Sequence, residues 1–171
     1  YEWYADLPSM KNYKKLPLWL RRAAAKCAAH LPYFKGHDMI IRAGGHPEDY
    51  FIGQALVYTE KEAKRLLRKP YRCGPTAREV ARPIYERVKN CDDVTKKQYL
   101  DMHLWLPGDI LLKADKMSMA HSLELRVPFL DRVVMTQAQS IPSSYRIRGT
   151  ETKAVLREAA GHTLPEDWAR R

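Results

Sequence analysis

Several common carriers of chemistry are missing from this sequence of 171 residues. It has neither a Gly-x-x-x-x-Gly-Lys phosphate loop nor a Gly-x-Gly-x-x-Gly fingerprint, and Gly44-Gly45 alone reads as a loop tip. The three cysteines, Cys27, Cys73 and Cys91, are odd in number and lack Cys-x-x-Cys spacing. That argues against a disulfide framework and a zinc knuckle, and for a reducing, cytoplasmic compartment. The histidines show no His-x-x-x-His spacing and no clustered ligands, so no metal site is expected within these residues. A Gly-x-Ser-x-Gly nucleophile elbow is absent too. No apolar run approaches the roughly 18 residues of a membrane span, and no membrane partner is expected. The first residues, Tyr1-Glu-Trp-Tyr4, carry neither an initiator Met nor a signal-peptide pattern. Both ends read as cut from a longer polypeptide.

What is present describes a globular domain. A hydrophobic content of 45% with 29% charged residues suits a chain that buries a core. The formal net charge is +10. Such a balance suits nucleic acid, an anionic membrane surface or a phosphate-bearing substrate, and equally a piece whose acidic half lies elsewhere. The ten tyrosines are not interleaved with Arg and Lys as a stacking platform, so they read as core and interface residues, and no nucleic-acid partner is expected.

Residues 1–15 show no clear period. Leu16, Leu20, Ala23, Ala24, Cys27, Ala28 and Leu31 mark one face of an amphipathic helix closed by Pro32. Residues 32–49 read as a loop with one short turn, and Asp49 to Val57 as helical. Thr59-Glu-Lys-Glu62 is a capping box for a helix running to Lys69 and stopping at Pro70. Thr76-Ala-Arg-Glu79 is a second box, followed by Val80, Ile84 and Val88 on one face, with Pro83 set to kink or split the helix. Thr95-Lys-Lys-Gln98 reads as a third box. Asp131 is a plausible N-cap for a helix through Val134 and Ala138 to Ile141, ended by Pro142. The last helix spans about residues 151–160, with Gly161 at the position that favours positive φ. No alternating strand stands out. The chain reads as mainly α.

The most specific stretch is Leu104 to Asp131. It reads as a helix from about Pro107 to His121, then an extended segment leading to Asp131. At 100° per residue Ile110, Ala114 and Met117 share one side, with Leu112 and Met119 nearly opposite, which is the pattern of a helix buried between neighbours. One stripe is charged: Asp109, Lys113 and Lys116. Asp115 lies apart from it, between the apolar faces, where a carboxylate needs a partner.

Leu106-Pro-Gly-Asp-Ile-Leu-Leu-Lys-Ala-Asp-Lys-Met-Ser-Met-Ala-His-Ser-Leu-Glu-Leu-Arg-Val-Pro-Phe-Leu-Asp131 resembles the signature of the synthetase domain of glutamine-dependent asparagine synthetases. The likeness continues through Ile141-Pro142, Arg146-Ile147 and Thr152-Lys-Ala-Val-Leu-Arg-Glu-Ala159 to Leu164-Pro165. Residues 1–100 resemble the variable helical connection of that domain, and 101–171 its signature region, within a single partial domain. The resemblance implies the helical portion of an α/β, PP-loop ATP-pyrophosphatase-type domain whose parallel sheet lies upstream. It implies ATP and Mg2+ in the intact enzyme, with adenylation of the aspartate side chain and attack by glutamine-derived ammonia. The family's Ser-Gly-Gly-x-Asp-Ser loop, its acidic magnesium motif, its glutaminase domain and its adenylate-stabilising lysine match nothing between Tyr1 and Arg171. The piece alone is therefore expected to be inactive, with no catalytic residue assignable inside it.

Within that frame Asp109 has two readings. It is a first-turn acid complementing the helix dipole with Lys113 as i+4 partner, or it faces the ATP–aspartate cleft. Lys113 and Lys116 would then attract phosphate or carboxylate, against the plainer reading of solvated lysines. Asp115 with Arg126 or Glu124 is expected to form a buried network fixing the turn after the helix. Pro128, Phe129 and Leu130 are read as scaffold and core, and Asp131 as the cap. Lys153 and Arg157 are surface charge or lie close to the cleft. Competing identities are a paralogous ligase forming an amide or lactam on another carboxylate, a basic helical module that binds nucleic acid, and a purely structural interaction domain. A homo-oligomer is compatible with all of them.

Overall fold

Short-range side-chain capping sets the helix starts after Thr59, Thr76, Asp92 and Asp131. Thr59 opens helix α5 (Glu60–Leu66), its amide bonded to Glu62 Oε2 at 2.8 Å while its hydroxyl accepts from the Glu62 amide. The same reciprocal box, Thr76 with Glu79, opens α6 (Ala77–Glu86). Both boxes match the sequence reading. The third does not. Helix α7 (Asp93–His103) is capped by Asp92, which accepts from the amides of Val94 and Thr95, and Thr95 donates its own hydroxyl to Asp92 at 2.7 Å. A carboxylate three residues earlier is the stronger acceptor, so Thr95 becomes its partner.

The computed structural model describes residue 4 and residues 8–32, 34–54, 57–149 and 151–169. The expectations for residues 1–3, Thr150 and Arg170-Arg171 lie outside these. The described chain is mainly helical. Helices α1 (Pro8–Tyr13), α2 (Leu18–Ala28), α3 (His37–Gly44) and the single turn α4 (Pro47–Tyr50) precede α5. Residues 32–49 are therefore not a loop with one turn. Helix α3 lies against α2 so closely that a Cβ on Gly44 would sit 2.4 Å from Ala25 Cβ and 2.6 Å from the Arg21 carbonyl oxygen. Glycine there permits close helix contact, where its sequence reading was a loop tip. Among the described residues of the helix expected from Asp49 to Val57, only Asp49 and Tyr50 are helical, in α4, and Phe51 is already extended; residues 55–56 lie outside the described chain. The α5 helix ends at Leu66, with a separate 3-10 turn at Lys69–Tyr71.

Phe51, Ala81, Tyr85 and Leu100 form the core cluster, with Tyr4, Tyr50, Ile84 and Leu104 packed around it. It joins α4, α6 and α7. The buried residues of α6 are Ala81 and Tyr85, one position round from the expected Val80 and Ile84, and Val80 is exposed; Val88, just past the helix end, is buried as expected. Pro83 lies inside α6 without splitting it. Burial here also includes charge: Arg42, Lys96, Lys97 and Asp101 are all buried. Lys96 pairs with Glu48 at 2.6 Å and the Lys97 ammonium lies 5.5 Å from the Tyr50 ring centre, which compensates part of the desolvation.

After Leu104 the helical path continues. Leu106–Leu111 form a π-helical turn leading into α8 (Leu112–Met119). Pro107 lacks the amide that would bond four residues back, and its ring crowds that carbonyl, so the ladder widens there. The expectation that this helix is buried on two sides does not hold within this chain. Ile110, Leu112, Met117 and Met119 are exposed, Met117 by 65%. The extended segment that follows is exposed as well, and Phe129, read as core, is 64% exposed.

Asp131 caps α9 (Arg132–Ser140), as expected, accepting from the Val133 amide at 2.8 Å. The turn α10 (Ser143–Arg146) leads into a two-residue antiparallel pair, β1 (Ile147–Arg148) and β2 (Glu151–Thr152), which no alternation in the sequence announced. Helices α11 (Ala154–Ala160) and α12 (Glu166–Ala169) close the chain. Positive φ falls on Gly149 and on Lys153, which precedes α11, while Gly161 is right-handed at φ −62°. Arg146 ties this region back to α7, donating to Gln98 Oε1 at 2.9 Å and to the Thr95 hydroxyl at 3.4 Å.

Candidate functional site

The charged stripe of the focal helix begins inside the π-helical turn. Asp109 is half-buried and held on both oxygens. Trp105 Nε1 donates to Oδ2 at 3.2 Å, and Lys113 Nζ lies 2.5 Å from Oδ1. The hydrogen bond from Lys113, helped by its charge and by the Trp105 bond, outweighs desolvation and keeps the Asp109 carboxyl below its ordinary value. It is therefore ionised at neutral pH, with its orientation fixed by two donors. Lys113 is 70% exposed at its side chain, and Lys116, one turn on, is exposed too. The arrangement offers an oriented carboxylate with one cation against it and a second exposed lysine one turn further along the helix. It suits recognition of a zwitterion or of a phosphate next to an amine.

The remaining expected residues are not drawn into that group. Asp115 is exposed, and among the described residues no ion pair joins it to Arg126 or Glu124. Arg126 and Glu124 pair with each other at 2.8 Å, with side chains 82% and 70% exposed. The buried network expected there is replaced by an exposed pair, because the turn that carries it has no covering layer in this chain. Asp131 acts through the backbone of α9. Lys153 and Arg157 are one helical turn apart, the Arg157 amide donating to the Lys153 carbonyl at 3.0 Å.

A second polar cluster, which the sequence did not announce, lies in the core. Asp101 is 4% exposed and accepts from the Tyr4 hydroxyl and, at 3.2 Å, from the Gln54 amide. Desolvation by burial pushes its carboxyl up, and the two hydrogen bonds offset this only in part. Tyr85 beside it donates to the Phe51 carbonyl at 2.7 Å, and burial pushes its phenol well above the ordinary value. These groups close off donors and acceptors around the Phe51 turn. The only sequence signal was a polar residue at a core position of α7.

For a divalent cation the described residues offer little. No group of three or more His, Cys, Asp or Glu side chains is placed among them to hold a metal ion, and the Asp109 carboxylate is already engaged by Lys113.

The family model for asparagine synthase matches residues 5–171. This chain belongs to the asparagine synthase family. Asparagine synthetase [glutamine-hydrolyzing] 1 of Bacillus subtilis is 39% identical over 167 residues, covering 97% of this chain and 26% of the relative. A Mycobacterium tuberculosis protein given the same family description is 36% identical over 166 residues, covering 96% of this chain and 25% of its own length. Asparagine synthetase [glutamine-hydrolyzing] 3 of Bacillus subtilis is 28% identical over 182 residues. The chain thus spans about a quarter of the length of these curated relatives of the asparagine synthase family. No solved structure matches it.

Proposed function

We propose that this chain is part of a cytoplasmic, glutamine-hydrolysing asparagine synthetase that makes asparagine, AMP and pyrophosphate from aspartate, ATP and ammonia. The observation that carries the reading is the match along nearly the whole chain, which includes both the helical connection and the Leu106–Asp131 signature. In this reading residues 1–100 form the connection and 101–171 the signature region of one synthetase domain of PP-loop type. The parallel sheet of that domain lies in another part of the polypeptide. The exposed apolar side chains of α8 and of the segment to Phe129 support it, since a layer of that kind would cover them.

The chemistry needs a poor electrophile made reactive. An aspartate carboxylate gains a good leaving group when its oxygen attacks the α-phosphorus of ATP, releasing pyrophosphate. Ammonia then attacks the acyl carbon and expels AMP. Magnesium, which neutralises phosphate charge when bound, does not fit the residues described here, and none of their roles runs through it. What this chain contributes is a wall. Asp109, fixed by Trp105 and Lys113, presents an ionised carboxylate suited to an ammonium or hydroxyl donor of a substrate. Lys113 and Lys116 make the same face attractive to a carboxylate or phosphate.

The test is made in the full-length protein. Asparagine formation from aspartate, ATP and glutamine is expected, and its absence with these substrates would sink the reading. Asp109→Asn is expected to lower kcat/KM for aspartate or ATP by about tenfold or more while the melting temperature stays within a few degrees. Unchanged kinetics would reduce Asp109 to a helix-terminal charge.

A further inference from the structure

Between the capping boxes at Thr59 and Thr76 the chain makes an exposed arch whose composition stands apart. Residues 63–75 hold five basic side chains, Lys64, Arg65, Arg68, Lys69 and Arg72, and no acid. All five are exposed. The neighbouring Glu62 and Glu79 carboxylates, which cap Thr59 and Thr76, feel Arg65 and Lys64 but are outnumbered by the cations between them. Between the cations stand apolar tips: Leu66 is 67% exposed, Leu67 44% and Tyr71 70%.

The arch is held by its own backbone. Arg72 Nε donates to the Leu67 carbonyl at 2.9 Å, the Lys69–Tyr71 segment closes a 3-10 turn, and Cys73 Sγ donates to the Pro70 carbonyl at 3.2 Å. Two leucines and a tyrosine are thus exposed to solvent on a segment rich in exposed positive charge. Solvated basic residues alone would not need apolar tips among them. Nucleic acid would use the cations and Tyr71 but leave both leucines in water. An anionic bilayer uses all of them. Phosphate headgroups meet the arginines and lysines, the leucines enter the boundary with the acyl chains, and the tyrosine sits at headgroup level.

We propose that the Lys64–Arg72 arch is a peripheral docking surface for an anionic lipid bilayer. No described helix is long and apolar enough to cross a membrane, so the engagement is confined to the interface. This departs from the expectation of no membrane partner, which rested on the lack of a spanning run. It stands independently of the ligase reading.

The full-length protein is tested by flotation with phosphatidylcholine vesicles, with and without phosphatidylserine, far-UV circular dichroism confirming that each variant keeps its helices. Binding is expected only with phosphatidylserine, weakening as salt rises. The triple variant Arg65→Gln/Arg68→Gln/Lys69→Gln is expected to lower partitioning about fivefold per charge removed. Leu66→Ser/Leu67→Ser, which keeps every charge, is expected to lower it about tenfold. Phe129→Ser, on the other exposed apolar surface, is expected to change nothing. Equal binding to both vesicles, no binding to either, or sensitivity to Phe129→Ser alone would overturn the proposal. So would an unaffected leucine variant whose binding is competed away by a single-stranded oligonucleotide, which would make the arch a nucleic-acid surface instead.

Discussion

Gly44 and Ala25 mark the closest approach of α3 to α2: any Cβ added at Gly44 would stand 2.4 Å from the Cβ of Ala25. The Arg21 backbone on the same side, 2.6 Å away, cannot move without bending α2. Gly44→Ala is therefore expected to lower stability by about 1–3 kcal/mol, as overpacking does. Gly108, with nothing within 4 Å of its added Cβ, is the control. Gly108→Ala is expected to be neutral or stabilising by up to about 1 kcal/mol. Urea denaturation of the two variants checks both signs, and equal effects would remove the close-packing account of Gly44.

Asp101 makes stability depend on pH in an unusual sense. Its folded-state pKa is raised by burial, so over the range between its ordinary value and the raised one the folded state binds more protons than the unfolded state. Stability from this group is full at low pH and falls as pH rises through that range. Asp101→Asn keeps an acceptor for Tyr4 and Gln54 but cannot ionise. The difference in unfolding free energy between the two proteins, measured from pH 4 to pH 8, is expected to move in favour of the variant as pH rises. A constant difference would show that Asp101 is not shifted.

Asp92 has the opposite sign. Desolvation opposes its ionisation, but bonds from the Thr95 hydroxyl and amide, from Ser143 and from the Val94 amide hold its pKa below the ordinary value. Its contribution is present above the ordinary carboxylate range and is lost as pH falls through the depressed one. Asp92→Ala is expected to cost about 1 kcal/mol at neutral pH, the usual worth of such a cap, with a smaller cost in acid. Thermal melts at two pH values decide this. A loss independent of pH would point to packing in place of capping.

The apolar side chains from Met117 to Val133 should drive association of the 171-residue chain on its own. Val133 is 77% exposed and Phe129 64%. Sedimentation velocity is expected to show mass rising with concentration, and Phe129→Glu/Val133→Lys to restore the monomer. A monomeric parent chain would mean that this surface is tolerated in water.

Legibility in the sequence followed the range of the physics. Thr59 with Glu62, Thr76 with Glu79, and Asp131 were readable because a cap involves only the next three residues. Asp92 and Thr95 both lie within reach of the same helix start, and only acceptor strength separates them. Nothing local distinguishes a glycine that bends the chain from one, like Gly44, that admits a neighbouring helix. For Asp101 and Lys97 the position on α7 hints at burial, but the partners Tyr4, Gln54 and Tyr50 are far away in sequence and leave no mark there. For the candidate site, the Asp109–Lys113 spacing was legible and Trp105 was not. The burial expected for Ile110, Leu112 and Asp115 failed for a related reason: periodicity reports which faces want cover, and the cover itself is tertiary.

The widened turn at Leu106–Leu111 sets the phase between two halves of one rod. Each residue advances a helix by about 100°, so a turn that takes in one more residue rotates everything after it by that amount about the axis. Helix α7 directs Leu100 into the core, and α8, reached through the widened turn, carries Lys113 and Lys116. Deleting a single residue here would keep both helices and their sequences while swinging Lys113 and Lys116 about a quarter-turn away. The offset thus works as a clocking device, whose setting decides which groove the charged stripe faces.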